Sequence, residues 1–191
     1  MKKGMLFIDG SNVYYDYRKS ANSKLNIEKY IDYVKRQYEH IDFIRTYYFT
    51  SETDTNQGFL QQINQLPYCQ VITGHLQKKM VYINETHDLR CSCGEIATGR
   101  IVTHVDKGTD VNIAVEMLKH AYLDTYDTAI LSSRDGDFAS VVKIIKNLGK
   151  TVELVLLEDF KNSARELTDC VDNVTLIRRG DYSALSPDVD K

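Results

Sequence analysis

The 191-residue sequence predicts an α/β fold, a three-layer sandwich whose central, mainly parallel sheet has about six strands, with a hairpin-like insertion. Two observations support this prediction. Short apolar segments rich in β-branched residues alternate with longer segments whose apolar residues recur at helical spacing. Because right-handed crossovers place helices on both faces of such a sheet, this alternation indicates parallel strands. With 42% hydrophobic residues, we expect one domain over residues 1–180 and a frayed tail over 181–191.

The first half of the chain is predicted to run strand, helix, strand, helix, strand. Residues 6–8 are apolar and predict a buried strand, and the polar residues 9–12 predict the turn after it. Apolar residues at helical spacing predict the first helix over 26–40, with Asn26 as its N-cap. The other elements of this half are a strand over 43–49, a short helix over 57–66 and a strand over 69–73.

Regular alternation stops over residues 75–106, which we predict to be an insertion because so long a connection is unusual in a compact domain. Residues 80–83 and 100–105 are predicted to pair as an antiparallel hairpin, with 84–99 at its tip. Four donors of the kind that zinc prefers lie in this segment: His87, Cys91, Cys93 and His104. A single residue separates the two cysteines, fewer than structural zinc sites favour. A structural Zn²⁺ site and free thiols on a flexible arm both stay open.

The same arm is rich in basic residues. These are Lys78, Lys79, Arg90, Arg100 and Lys107. Together with Tyr82 they could hold a single nucleic-acid strand through phosphate contacts and stacking. The alternative is a solvated hairpin with scattered lysines.

The second half of the chain resumes the alternation. Apolar residues between 111 and 121 predict a long helix that begins near Asp110. The elements that follow are a strand over 128–133, a helix over 137–149, a strand over 151–157, a helix over 162–170 and a strand over 174–177.

Four aspartates are predicted to converge at one edge of this sheet. Asp9 follows the first strand, and the pair Asp135 and Asp137 follows the strand over 128–133, while Asp110 begins the long helix. Clustered carboxylates repel each other unless a cation neutralises them, so the cluster predicts a Mg²⁺ or Mn²⁺ site. Such an ion can bridge a phosphodiester and activate a water molecule. The alternative is that each aspartate only caps a turn or helix.

Two polar residues beside the aspartates are candidates for positioning. Asn12 and Ser133 could each orient a carboxylate, a water molecule or a phosphate oxygen. Tyr14 lies near Asp9 in sequence and is a candidate for stacking on substrate, although tyrosines with a buried ring and a surface hydroxyl are commoner.

Charge and hydropathy limit the partners that we expect. The formal net charge of −3 gives no globally basic surface, so attraction to nucleic acid must come from local patches or a bound cation. No stretch approaches the roughly 18 apolar residues of a membrane helix, and no signal peptide is evident. We therefore expect a cytoplasmic protein without a membrane partner. Whether it forms a homo-oligomer is left open.

Three separated blocks of the sequence resemble the NYN domain, specifically its LabA-like (DUF88) branch within the PIN-like nuclease superfamily. The blocks are FIDGSNVYY, KGTDVNIAVEMLKHAY and AILSSRDGDFASVVKIIKNLGKTVELVLL. The resemblance extends over residues 5–177 and includes Ser163, Leu167 and Asp172 of the closing segment.

The resemblance implies a PIN-like sandwich and metal-dependent cleavage of RNA, with DNA as the lesser alternative. The acidic metal-binding residues of the family fall on Asp9, Asp110, Asp135 and Asp137, and its N-terminal asparagine falls on Asn12. Arg134 departs from the pattern, since many members have glycine there. A basic side chain at this position could contact a substrate phosphate or perturb the site.

We therefore predict a Mg²⁺- or Mn²⁺-dependent endoribonuclease. Its predicted catalytic residues are Asp9, Asp110, Asp135, Asp137 and Asn12, and its predicted substrate-binding residues are Ser133, Arg134, Lys107 and Tyr14. One alternative is a catalytically silent RNA-binding or regulatory protein. Another is a phosphatase-like hydrolase, which the absence of a second aspartate at position 11 and of an obvious paired lysine disfavours.

Overall fold

The apolar segments of the sequence form the strands of one central sheet. In the computed structural model, which describes residues 1–83 and 99–187, the strand order is β4-β3-β2-β1-β5-β6-β7. All neighbouring strands are parallel except β3 and β4. The strands are β1 (Lys2–Asp9), β2 (Ile41–Ser51), β3 (Cys69–Ile83), β4 (Gly99–Lys107), β5 (Thr128–Ser132), β6 (Thr151–Leu157) and β7 (Asn173–Ile177). The predicted α/β fold with its mainly parallel sheet is confirmed.

Helices cover both faces of the sheet. They are α1 (Gly10–Ala21), α2 (Ile27–Arg36), α3 (Gln57–Asn64), α4 (Thr109–Tyr122), α5 (Ala139–Asn147) and α6 (Arg165–Thr168). Because side chains alternate along a strand, Leu6 and Ile8 of β1 pack on the side of α1, α2 and α3, while Phe7 packs on the side of α4 and α5. In the described part of the chain, no helix has the length and apolar character needed to cross a bilayer.

Helix α1 lies where the sequence predicts a turn, so that prediction was wrong. Asp9 caps the helix, because its carboxylate accepts a hydrogen bond from the backbone N–H of Asn12. Val13 and Tyr17, one turn apart, bury their side chains, and the Tyr17 hydroxyl donates to the carbonyl oxygen of Tyr182 at 2.6 Å. Short polar residues at the start and few buried apolar positions make this segment look like a loop in sequence.

Strand β3 is longer than the predicted strand over 69–73. It pairs with β2 as far as Gly74 and then, from His75 to Ile83, continues alone with β4. Residues 80–83 and 100–105 pair antiparallel, as predicted. The tip of this hairpin, residues 84–98, lies outside the described residues.

The C-terminal segment is packed against the domain, which contradicts the frayed tail expected over 181–191 as far as residue 187. Residues Arg179–Leu185 form a 3₁₀ helix that buries Tyr182 and Leu185. The backbone N–H of Asn26 donates to the carbonyl oxygen of Leu185 at 2.9 Å. The segment therefore docks against α1 and the start of α2. Its apolar residues are too few and too widely spaced to reveal this in sequence.

Candidate active site

The candidate site lies where the strand order reverses. The chain builds β2 and β3 on one side of β1 and later places β5, β6 and β7 on the other side. Ile8 pairs with Ser132 across the seam between β1 and β5, so Asp9 and Ser133 leave the sheet side by side. Ligands of open α/β sheets bind at the carboxyl ends of the strands at such a switch point.

Asp9 is the most enclosed carboxylate of the site, with 4% of its surface exposed. One carboxylate oxygen accepts a hydrogen bond from the backbone N–H of Asn12 at 3.1 Å, and the other accepts from the Ser133 hydroxyl at 2.9 Å. The pKa of Asp9 is nevertheless raised from 3.8 to about 6, mainly by burial and to a smaller extent by the carboxylates of Asp110 and Asp135. A cation at this position would relieve that cost.

Ser133 connects Asp9 to the second carboxylate. Its buried hydroxyl donates to Asp9 and accepts from the backbone N–H of Asp135 at 3.2 Å. Asp135 in turn caps the short 3₁₀ helix Gly136–Phe138, because its Oδ1 accepts from the backbone N–H of Asp137 at 2.9 Å. This chain of hydrogen bonds fixes the spacing between Asp9 and Asp135, while Asp137 stays exposed at the surface.

Asp110 reaches the site from the face of the sheet that α4 covers. It lies in the first turn of α4, directly after Gly108 and Thr109, and Gly108 adopts a left-handed backbone with φ of 90°. Its carboxylate is exposed but close enough to raise the pKa of Asp9. The structure thus brings two of the other predicted aspartates, Asp110 and Asp135, within electrostatic reach of Asp9.

Arg134 is held by a residue that the sequence did not single out. Its Nε donates to both oxygens of Asp16, at 2.9 and 2.7 Å, and its guanidinium lies 5.3 Å from the centre of the Phe160 ring. The buried position of Asp16 raises its pKa, and Arg134 partly opposes this increase. Asp16 follows Asn12 by one helical turn, so recognition of α1 would have revealed it. The backbone N–H of Arg134 also donates to Asn12 Oδ1, at 3.4 Å.

The remaining predicted residues lie around the rim. Lys107 is the exposed last residue of β4, and Tyr14 is half-buried on α1, with its ring edge-on to that of Tyr15. A further carboxylate, which the sequence did not indicate, belongs to Glu166. Its Oε2 would lie 2.9 Å from a Cβ atom at position 136, so this carboxylate lies beside the backbone between Asp135 and Asp137.

The donors at this site suit a hard divalent cation. Carboxylate oxygens are the ligands that Mg²⁺ and Mn²⁺ prefer, and a cation would neutralise the buried charge of Asp9 and that of the neighbouring carboxylates. Among residues 1–83 and 99–187, however, no three His, Cys, Asp or Glu side chains are already grouped as a metal site. The residues therefore fit the cation in chemistry and location, with side-chain adjustment required for binding.

The predicted zinc site stays a prediction. His87, Cys91 and Cys93 lie outside the described residues, and of His104 only the backbone position on β4 is described.

Comparisons with known proteins agree with this architecture. The sequence profile of the NYN domain family matches residues 3–178. A protein of unknown function from Vibrio parahaemolyticus RIMD 2210633 has a similar crystal structure, with a TM-score of 0.63 and 23% identity over 92% of this chain and 93% of that chain. At this identity the likeness concerns the fold alone. No curated protein matches the chain significantly.

Proposed function

The chain belongs to the NYN domain family of PIN-like nucleases, and from this premise we propose that it is a metal-dependent ribonuclease that cuts RNA internally. The observation that carries the proposal is the position of Asp9. It is buried at the strand-order reversal, fixed by Ser133 and Asn12, and surrounded by further carboxylates. We also propose that the chain falls in the LabA-like (DUF88) branch, on the three blocks of sequence quoted above.

The proposed cation would lie among the carboxylates. Asp9 and Asp135 would hold Mg²⁺ or Mn²⁺ between them, with Asp110 and Asp137 contributing directly or through water. When bound, the ion would supply a water molecule of lowered pKa for attack on phosphorus and would neutralise charge on the phosphodiester.

The protein's own residues orient this site. The Ser133 hydroxyl, by donating to Asp9 and accepting from the backbone of Asp135, holds two carboxylates at a set spacing. Asp16 holds the Arg134 guanidinium at the edge of the site, where its positive charge would attract a substrate phosphate. Lys107 would add a second positive charge on the side of α4.

The test is cleavage of labelled single-stranded and structured RNA in Mn²⁺, Mg²⁺ or EDTA. We expect divalent-dependent products from the wild type and at least a 100-fold slower reaction from Asp135→Asn. The matched control is Asp42→Asn, which removes an exposed carboxylate at the opposite end of β2 and should leave cleavage unchanged. No products from the wild type on either RNA, or equal loss in the control, would overturn the proposal.

A silent RNA-binding or regulatory protein is the second candidate. The observation in its favour is that no three metal-type ligands are already grouped within the described residues. Such a protein would bind the same RNAs with unchanged affinity after Asp135→Asn and yield no products in any divalent ion. Release of phosphate from small phosphate esters would instead support the phosphatase-like alternative.

A further inference from the structure

A groove lies beside the candidate active site, and the proposed cleavage reaction gives it no role. It lies between the start of α1, the carboxyl end of β2 and helix α3, and has a volume of about 760 Å³. This volume lies within the range of small-molecule sites in proteins. Gly10 and Ser11, which follow Asp9 directly, line one end of it. Whatever occupies the groove is therefore a neighbour of the phosphodiester that the site would cut.

The walls of the groove are aromatic. Tyr15 is 67% exposed and Phe59 is 40% exposed, which is unusual for rings that could have been buried. The Tyr15 ring lies edge-on to Tyr14, with centres 5.9 Å apart, and Phe59 lies edge-on to the buried ring of Tyr48 at 6.3 Å. These contacts position the two rings, and their exposed surface is available for stacking.

The polar lining of the groove includes two hydroxyl groups. The Thr50 hydroxyl of β2 lies 3.5 Å from the Ser11 hydroxyl of α1, and both residues line the groove. Because side chains alternate along a strand, Thr50 lies on the same face of β2 as Tyr48, which also lines the groove. Hydroxyl groups can donate and accept hydrogen bonds, so this pair offers partners to the polar atoms of a ligand.

Gly10 holds the groove in place relative to Asp9. A Cβ atom at this position would lie 2.3 Å from Cζ of Tyr48 and 2.7 Å from the carbonyl oxygen of Phe49. Glycine therefore allows the start of α1 to contact β2 closely. As a result, the floor of the groove lies directly against the cap of α1.

We propose that this groove binds a nucleobase of the RNA substrate adjacent to the cleaved phosphodiester, an inference that rests on the proposed ribonuclease function. The base would stack on Tyr15 and Phe59 and place a hydrogen-bonding edge against the hydroxyl groups of Thr50 and Ser11. Lys24, at the rim, is positioned for a phosphate of the same strand. A flat aromatic ligand with polar edges matches these walls better than a peptide or lipid does, because stacking surface and hydroxyl groups are combined in one narrow space.

The test compares a fluorescent single-stranded RNA octamer with an octamer of the same backbone that lacks bases, in EDTA so that no cleavage occurs. We expect Tyr15→Ala and Phe59→Ala each to weaken octamer binding five- to twentyfold and to leave binding of the abasic strand unchanged. Tyr15→Phe should bind like the wild type, because the ring is kept. The matched control is Tyr122→Ala, which removes a ring that is 68% exposed on α4 and outside the groove.

Thr50→Val adds a measurement that separates ligand binding from folding. This isosteric change removes a half-buried hydroxyl whose contact with the Ser11 hydroxyl is long, at 3.5 Å, so the melting temperature should change little while octamer affinity falls about three- to tenfold. A lower melting temperature with unchanged affinity would mean that Thr50 has a structural role alone.

Failure of this inference is distinguishable from failure of the proposed function. If the wild type cleaves RNA but the ring substitutions leave octamer affinity unchanged, the base site is wrong and the ribonuclease stands. If the wild type does not cleave, yet octamer binding depends on Tyr15 and Phe59, the base site stands and the catalytic proposal falls. If the wild type does not bind the octamer, or if the substitutions weaken binding of the abasic strand equally, the base site is overturned.

Discussion

At the scale of single residues, Asp9 combines two demands that conflict in the absence of a cation. As the cap of α1 it must accept hydrogen bonds, and as a buried carboxylate near Asp110 and Asp135 it is costly to ionise. Folding raises the pKa of Asp9, so the protonated carboxyl group stabilises the folded state. This stabilisation has its full value below pH 3.8 and is lost as the pH rises through about 6. At neutral pH the ionised group therefore destabilises the metal-free fold.

The substitution Asp9→Asn should stabilise the metal-free protein in EDTA, and it should abolish cleavage in Mn²⁺ or Mg²⁺. An asparagine oxygen can still accept from the N–H of Asn12, and its amide can donate to the Ser133 oxygen. The difference between pKa values of 3.8 and about 6 corresponds to about 3 kcal/mol, so we expect a gain of about 1 to 3 kcal/mol in the free energy of unfolding at pH 7.5. Urea denaturation in EDTA measures this. A loss of stability would show that the ionised form is required by the fold itself.

His120 provides a pH response outside the candidate site. The Thr125 hydroxyl donates its proton to the His120 carbonyl oxygen, so its oxygen accepts from the ring Nδ1–H, 2.9 Å away. The other ring nitrogen, Nε2, then accepts from the Tyr47 hydroxyl at 2.7 Å. Burial lowers the pKa of the ring and so favours its neutral form, while the Glu116 carboxylate, whose Oε2 lies 3.3 Å from Nε2, partly opposes this decrease.

Because the pKa of His120 is lower in the folded state, its contribution to stability is present above about pH 6.5 and is lost as the pH falls. Replacement by glutamine, His120→Gln, should make the free energy of unfolding fall less steeply between pH 6.5 and 5 than in the wild type. Denaturation at several pH values, with His40→Gln as the surface control, measures the slopes. Identical slopes for wild type and His120→Gln would contradict the expectation.

At the scale of elements, the 3₁₀ helix Arg179–Leu185 should contribute as much to the stability of the fold as a helix of the core does. Leu185 is 1% exposed, so Leu185→Ala should lower the free energy of unfolding by about 2 to 4 kcal/mol. The matched control, Leu123→Ala, removes a leucine that is 63% exposed and should change stability by less than about 0.5 kcal/mol. Similar small effects from both substitutions would mean that the segment frays in solution.

The elements that sequence analysis predicted correctly are those with a strong apolar period. The parallel strands and the long helix α4 belong to this group, and their topology alone placed Asp9 beside Asp135. Helix α1 was missed because its stability comes from contacts with distant residues, such as the bond from Tyr17 to Tyr182. Because α1 was not recognised, sequence analysis could not identify Asp16 or the groove next to Gly10. The approach of the Thr50 hydroxyl to that of Ser11 depends on how α1 packs on β2 and has no signature in sequence.

At the scale of the whole molecule, cation binding and folding should be linked. A ligand at one hundred times its dissociation constant raises the free energy of unfolding by about 2.7 kcal/mol. We therefore expect Mn²⁺ to raise the melting temperature of the wild type by several degrees, and of Asp9→Asn or Asp135→Asn much less. Thermal denaturation across a Mn²⁺ titration measures this, with Asp42→Asn as the control that should follow the wild type. An equal increase in all four proteins would show that Mn²⁺ binds elsewhere.

The hydrogen bond from Ser133 to Asp9 joins residues that are 124 positions apart in the chain. During translation the N-terminal strands and their helices leave the ribosome well before β5 is made, and domains fold only as their parts become available. The carboxylate cluster is thus completed late in synthesis, when the second half of the sheet docks on the first. A protein that cuts RNA, as proposed here, would be catalytically incomplete for most of the time that it is attached to its own messenger RNA.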